Sequence, residues 1–242
     1  MAEFAAFAGI AFVGALIFGI TGFGAALVTI PLATHLVPLP FALALFAISD
    51  IACALSVGLE KPKNAVPSEW KRLVPMIIVG TALGVTLLVN LPRREAMLLL
   101  GLFVLAFAVY SLARRDSGRR ISANWAWLAG FAGGITSTVF GAGGPPYAIY
   151  LSQRGLSKEQ FRATMGLAAL TSISLRLVAF LLTGLLLDLQ VWRYALVVVP
   201  AAVAGVLVAR KVYMLISRDA LLRAVAVMLL ASGGSLVFRA LA

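Results

Sequence analysis

Histidine and cysteine each occur once in this chain, as His35 and Cys53. One thiol excludes an internal disulfide, and one imidazole beside it leaves no Cys/His cluster for a structural metal or a haem. No metal site and no cofactor are therefore expected. With a lone histidine and no nucleophile–base pair in evidence, an intramembrane enzyme is not the expected function either. Charge is scarce too, at 12% of residues, and only nine side chains are acidic. The opening Met1-Ala2-Glu3 lacks the basic n-region of a signal peptide, so the first apolar segment is expected to stay in the mature protein.

What is abundant is apolar. Of 242 residues, 62% are hydrophobic, and the mean hydropathy is +1.03. Apolar runs cover residues 4–34, 39–59, 73–91, 96–113, 123–151, 163–187, 191–209 and 219–238, each long enough, or nearly so, to span a bilayer. Eight such runs leave no room for a soluble domain, and an all-α, multi-pass protein of the cell membrane is expected. The net charge of +11 does not point to nucleic acid. Its lysines and arginines sit mostly in short loops beside apolar runs, where they set topology and meet anionic lipid. Trp70, Trp125, Trp127 and Trp192 are placed as interfacial anchors, His35 is interfacial, and Cys53 is a small apolar filler.

The longest two runs are interrupted. Ile20-Thr21-Gly22-Phe23-Gly24-Ala25-Ala26 breaks the first, and Phe140-Gly141-Ala142-Gly143-Gly144-Pro145-Pro146 breaks the fifth. A plain membrane helix carries no such breaker, because freed backbone N–H and C=O groups at membrane depth need protein or a watery cavity around them. Paired breaks at corresponding positions point to a binding site.

The correspondence has a measure. Gly22 and Gly24 meet Gly141 and Gly143 at an offset of 119, and Arg94-Glu95-Ala96-Met97-Leu98 meets Arg218-Asp219-Ala220-Leu221-Leu222 at 124. This near-constant offset argues for a duplication: repeat one over residues 1–113, a basic loop over 114–122, and repeat two over 123–242. Loop charge then decides the topology. If all eight runs cross, Lys and Arg divide 10 against 8 and favour neither side. With runs one and five as re-entrant hairpins, each arm of about 15 residues rises ~22 Å. The division then becomes 14 against 4, a clear positive-inside bias. Three full crossings per half follow, so the expected fold is two inverted repeats, each a broken helical hairpin plus three transmembrane helices, with both termini outside the cytoplasm.

The residues of both breaks, Gly22-Phe23-Gly24-Ala25-Ala26-Leu27-Val28-Thr29-Ile30-Pro31-Leu32 and Phe140 to Pro146, resemble the paired signatures of the TauE/SafE family of membrane anion exporters. The resemblance covers nearly the whole chain. It implies export of sulfite, sulfonates or related organic anions, and the direction of transport comes from the resemblance alone. The chain departs from the family pattern where Ala25 and Ala26 replace a richer glycine run and where Pro145-Pro146 is added. A tighter first tip would alter the size of anion admitted.

The expected substrate-binding residues are Thr21, Gly22, Phe23 and Gly24 from the first break, Gly141, Gly143, Gly144 and Pro145 from the second, and Arg176. Glycine lets the backbone turn and lets a ligand reach its amides, and a helix restarting after the break offers an N-terminus suited to an oxyanion. The alternative is that small residues only let helices pack closely. Arg176, inside the sixth run, costs about 2.5–3.5 kcal/mol at a helix centre and so needs a cavity or a partner. Its planar fork suits sulfite or sulfonate oxygens, with Thr171, Ser172 and Ser174 as neutral donors or bonded to their own helix. Asp50 reads as the one carboxylate deep in a run, either an ion-pair partner of Arg176 or a proton-coupling group. The functional expectation is a carrier working by alternating access on a small anion, in contact with the lipid bilayer, with or without oligomerisation. The alternatives are an uncoupled anion channel or a purely structural membrane subunit.

Overall fold

A computed structural model of the protein describes residues 2–58, 62–113, 120–212 and 218–241, and over these the chain is helical, with no strand among the described residues. Ten α-helices follow in order: α1 (Ala2–Thr21), α2 (Ala25–Ala33), α3 (Leu39–Gly58), α4 (Pro67–Asn90), α5 (Arg93–Ala113), α6 (Trp125–Phe140), α7 (Gly144–Ser152), α8 (Lys158–Leu182), α9 (Leu189–Val212) and α10 (Arg218–Leu241). Within them, Glu3–Thr21, Leu39–Val57, Pro67–Asn90, Lys158–Leu182 and Leu189–Lys211 are each long and apolar enough to cross a membrane. The all-α membrane fold expected from composition is the fold observed. Most of the basic mid-chain loop, residues 114–119, lies outside the described residues, as do the side chains of 218–222 used in the repeat match.

Punctuation residues set the helix ends. Pro67 occupies the first turn of α4, where its missing N–H is not needed. Ser157 caps α8 by accepting the Gln160 N–H at 3.1 Å, while the Gln160 side chain accepts the Ser157 N–H at 3.0 Å. Two boundaries differ from the hydropathy reading. α4 starts at Pro67 rather than near residue 73, because its first turn carries Glu69 and Arg72 and so reads as loop. The hairpin arms are also unequal: 20 and 9 residues in α1 and α2, 16 and 9 in α6 and α7, instead of about 15 each.

The contacts at the two ends of the bundle fix how the chain runs. At one end, the Tyr194 hydroxyl at the start of α9 donates to the Glu3 carboxylate at the start of α1 (3.0 Å). The Tyr194 ring also stacks on Phe4 and meets Phe41 at the start of α3 edge-on. After α1 and α2 the chain is therefore back where it began. At the other end, Arg154, just past α7, donates to the Ile121 carbonyl before α6 (2.5 Å), and Tyr150 lies 3.4 Å from the Ala123 carbonyl. The second broken segment also returns to its own starting end. There Arg154 makes a 2.9 Å ion pair with Glu69 of α4, and this hydrogen-bonded carboxylate raises the arginine above its ordinary pKa. The Tyr150 hydroxyl donates to the same carboxylate. Glu69 is 5% exposed, a second buried carboxylate in addition to Asp50, held in the first turn of α4 and outside the apolar run.

Helix pairing crosses between the halves. α1 runs beside α9, with Glu3 at Tyr194 and Gly19 at Ala209. α6 runs beside α4, with Gly130 at Leu73 and Thr138 at Gly84. These two contacts exchange the same positions in the two halves, while α3 packs on α8 and α5 on α10. Small residues make the close approach possible: a methyl group at Gly205 would lie 2.5 Å from the Phe12 carbonyl oxygen, and one at Gly134 equally close to that of Ile77.

Candidate functional site

The two broken segments turn by the same device. α1 ends where the Gly22 N–H bonds the Phe18 carbonyl at 2.7 Å and the backbone turns left-handed, with φ 81° at Gly22 and 92° at Gly24. α6 ends where Gly141 adopts φ 71° and the Ala142 N–H bonds the Thr136 carbonyl at 3.0 Å. L side chains avoid this region, so glycine is required at these turns. Gly22 and Gly141 stand at the offset of 119 read from the sequence. Beyond that position the turns diverge, since Gly143 has φ −71°. The Thr21 hydroxyl donates to the Ile17 carbonyl (2.8 Å) and accepts the Phe23 N–H (3.2 Å), so it stitches the first turn together.

The tips touch. A methyl at Gly144 would lie 2.6 Å from Cβ of Phe23, and one at Gly141 would meet Ala26 and Ile30 of α2 as well as the Arg176 guanidinium. Between them is a cavity of about 30 Å³, room for one or two waters. The first tip contributes Phe23, Gly24, Ala25 and Ala26 to its lining, and the second contributes Gly141 to Gly144. Its polar side chains are Asp50 of α3, Ser137 of α6, Tyr147 of α7 and Ser172 of α8.

Arg176 and Asp50 form an ion pair at 2.8 Å, with exposures of 1% and 5%. Pairing is what makes either charge tolerable at this depth. The second guanidinium nitrogen donates to the Ser137 carbonyl at 3.1 Å, while Nε has no partner among the described residues. Helix α8 also presents Ser172, whose hydroxyl accepts from that of the fully buried Tyr147 at 3.1 Å. Thr171 points elsewhere, accepting the Trp70 indole N–H at 3.1 Å and donating to the Leu167 carbonyl. Ser174 is exposed on the far side of the helix.

Of the residues singled out from sequence, Phe23, Gly24, Gly141, Gly143, Gly144 and Asp50 line the cavity, and Arg176 stands behind Asp50. Gly22 shapes the turn without lining the cavity, and Thr21 and Pro145 are outside the lining too. Tyr147 was missed, although it follows the second motif directly. A phenol on an apolar helix at this depth needs a partner for its hydroxyl, and that need was its legible signal. Among the described residues, no three His, Cys, Asp or Glu side chains gather to hold a metal.

Comparison with known proteins bears on this arrangement. The family model described as "Sulfite exporter TauE/SafE" matches residues 6–236. The chain is also similar to "Probable inner membrane transporter protein TsaS" of Comamonas testosteroni, with 27% identity over 165 residues, 68% of this chain and 69% of that protein. No solved structure matches.

Proposed function

The chain belongs to the sulfite exporter TauE/SafE family, and on that footing we propose that this membrane transporter exports small sulfur-containing anions, such as sulfite or sulfonates, by alternating access. The observation that carries the reading is the meeting of both glycine tips around one cavity lined by Asp50, with Arg176 paired behind it. Ala25 and Ala26, in the first turn of α2, line that cavity, and a helix start carries N–H groups and a partial positive charge suited to an anion. Arg176 adds a guanidinium suited to oxygen pairs.

Alternating access requires that two bodies rock about the site, and inverted repeats supply them. The assignment of repeats to 1–113 and 123–242 is supported by the exchanged pairings α1 with α9 and α6 with α4. It is supported also by hairpins that open at opposite ends of the bundle, at Tyr194 and at Glu69. The protein is expected in the inner membrane, where its relative is named as residing.

The test is flux in proteoliposomes, with sulfite and methanesulfonate compared with chloride, with and without a pH gradient. Saturable flux of the sulfur anions is expected, and its response to the gradient separates a coupled carrier from a facilitator. No flux of either sulfur anion overturns the reading.

A further inference from the structure

We propose that the Tyr147–Ser172 hydroxyl pair is the element that selects an oxoanion over a halide, an inference that rests on the transport reading above. The pair lines the cavity. Tyr147 is fully buried, Ser172 nearly so, and their oxygens are 3.1 Å apart. Burying two hydroxyls in an apolar bundle is unfavourable unless they are bonded, and a phenylalanine–alanine pair would fill much the same space without that cost.

A hydrogen count shows what the pair has left to give. Two hydroxyls carry two hydrogens, and one is used between them. Whichever way that bond points, the other hydrogen has no protein acceptor among the described contacts. It is available to the cavity. The guanidinium is less accessible. Asp50 and the Ser137 carbonyl each take one N–H of Arg176, and the group, 1% exposed, lies outside the cavity lining although its Nε–H is unpartnered among the described residues. The guanidinium therefore supplies charge, and the neutral hydroxyls supply the adjustable contact. An entering oxoanion can open the 3.1 Å bond between the hydroxyls, so that both hydrogens turn to the cavity and each meets a different oxygen of one sulfite or sulfonate group. A monatomic halide has one surface and no such division.

The fold builds this pair deliberately into the second hairpin. A methyl at Gly133 would lie 2.0 Å from the Tyr147 ring, so the missing side chain on α6 is the slot that holds the phenol. At the offset of 119, the first hairpin has Val28 in the place of Tyr147. The hydroxyl is thus a property of one tip alone.

The experiment uses the full chain in proteoliposomes, with sulfite and methanesulfonate as substrates and chloride as competitor. In Tyr147→Phe and Ser172→Ala, KM for both oxoanions is expected to rise about tenfold while kcat stays within about twofold, and chloride becomes a relatively better inhibitor. Ser172→Thr, which keeps a hydroxyl, shifts KM less than Ser172→Ala. If KM for the oxoanions stays unchanged, or if all anions are affected alike through kcat, the assignment is overturned. Wild-type protein without sulfur-anion flux fails before any substitution, and that failure belongs to the transport reading instead.

Discussion

The two hairpins share a backbone and divide the chemistry. Each leaves its long arm through a left-handed glycine, Gly22 or Gly141, and each crosses back beside a glycine of that arm. A methyl at Gly14 would strike Thr29, and one at Gly133 would strike Tyr147. The first short arm, α2, keeps its N–H groups at Ala25, Ala26 and Leu27. The second, α7, gives up two of them to Pro145 and Pro146 and contributes a phenol. Their mouths differ as well. Rings of Phe4, Phe41 and Tyr194 close the first, and the Glu69, Tyr150 and Arg154 cluster closes the second. Two hairpins can share a turning point while each takes a different task.

Substitutions sharpen that contrast, and the largest effect is expected where the halves meet. Arg176→Gln leaves the Asp50 carboxylate buried without its partner, a loss of about 3–5 kcal/mol. It should appear as a collapse of the thermal midpoint in detergent. The double substitution with Asp50→Asn should recover most of it, and a double variant as unstable as the single one would contradict the ion-pair account. At the second mouth, Glu69→Gln takes the counter-ion from Arg154 and leaves one acceptor oxygen where Arg154 and Tyr150 each used one, and it should cost about 1–3 kcal/mol. Glu3→Gln at the first mouth keeps an acceptor for Tyr194 and should leave the midpoint nearly unchanged. Equal shifts would erase the distinction between the mouths.

At the crossing points, Gly14→Ala and Gly133→Ala should each cost about 1–3 kcal/mol through overpacking. Only Gly133→Ala should also raise the oxoanion KM in flux assays, because it displaces a cavity-lining side chain. A small effect is expected for Pro145→Ala as well. It loosens the unfolded chain and should cost about 0.4–1 kcal/mol, visible as a slight drop in the same midpoint.

Much of this could be read before the fold was seen. Apolar run lengths found the helices, and Gly22 and Gly141 announced their turns because no other residue turns left-handed without strain. What escaped depended on distant partners. Glu69 looks like a loop residue until Arg154, 85 positions away, makes its burial tolerable. The pairing of Asp50 with Arg176 spans 126 positions, and the sequence offered it only as one of two roles for Asp50. Arm lengths were misjudged because hydropathy runs continuously through a break and cannot say where within the run it falls.

The pairing of α1 with α9 has a consequence for how the protein is made. The Phe12 carbonyl packs against Gly205, a contact that needs 193 further residues to emerge. At roughly 5–20 residues per second, synthesis leaves the first hairpin without its flank for about 10–40 s. During that interval Thr21 is its own internal brace, and insertion machinery or lipid must shelter the open side. Biogenesis of this bundle is thus completed from its C-terminal end, when the last helices seal a hairpin that entered the membrane first.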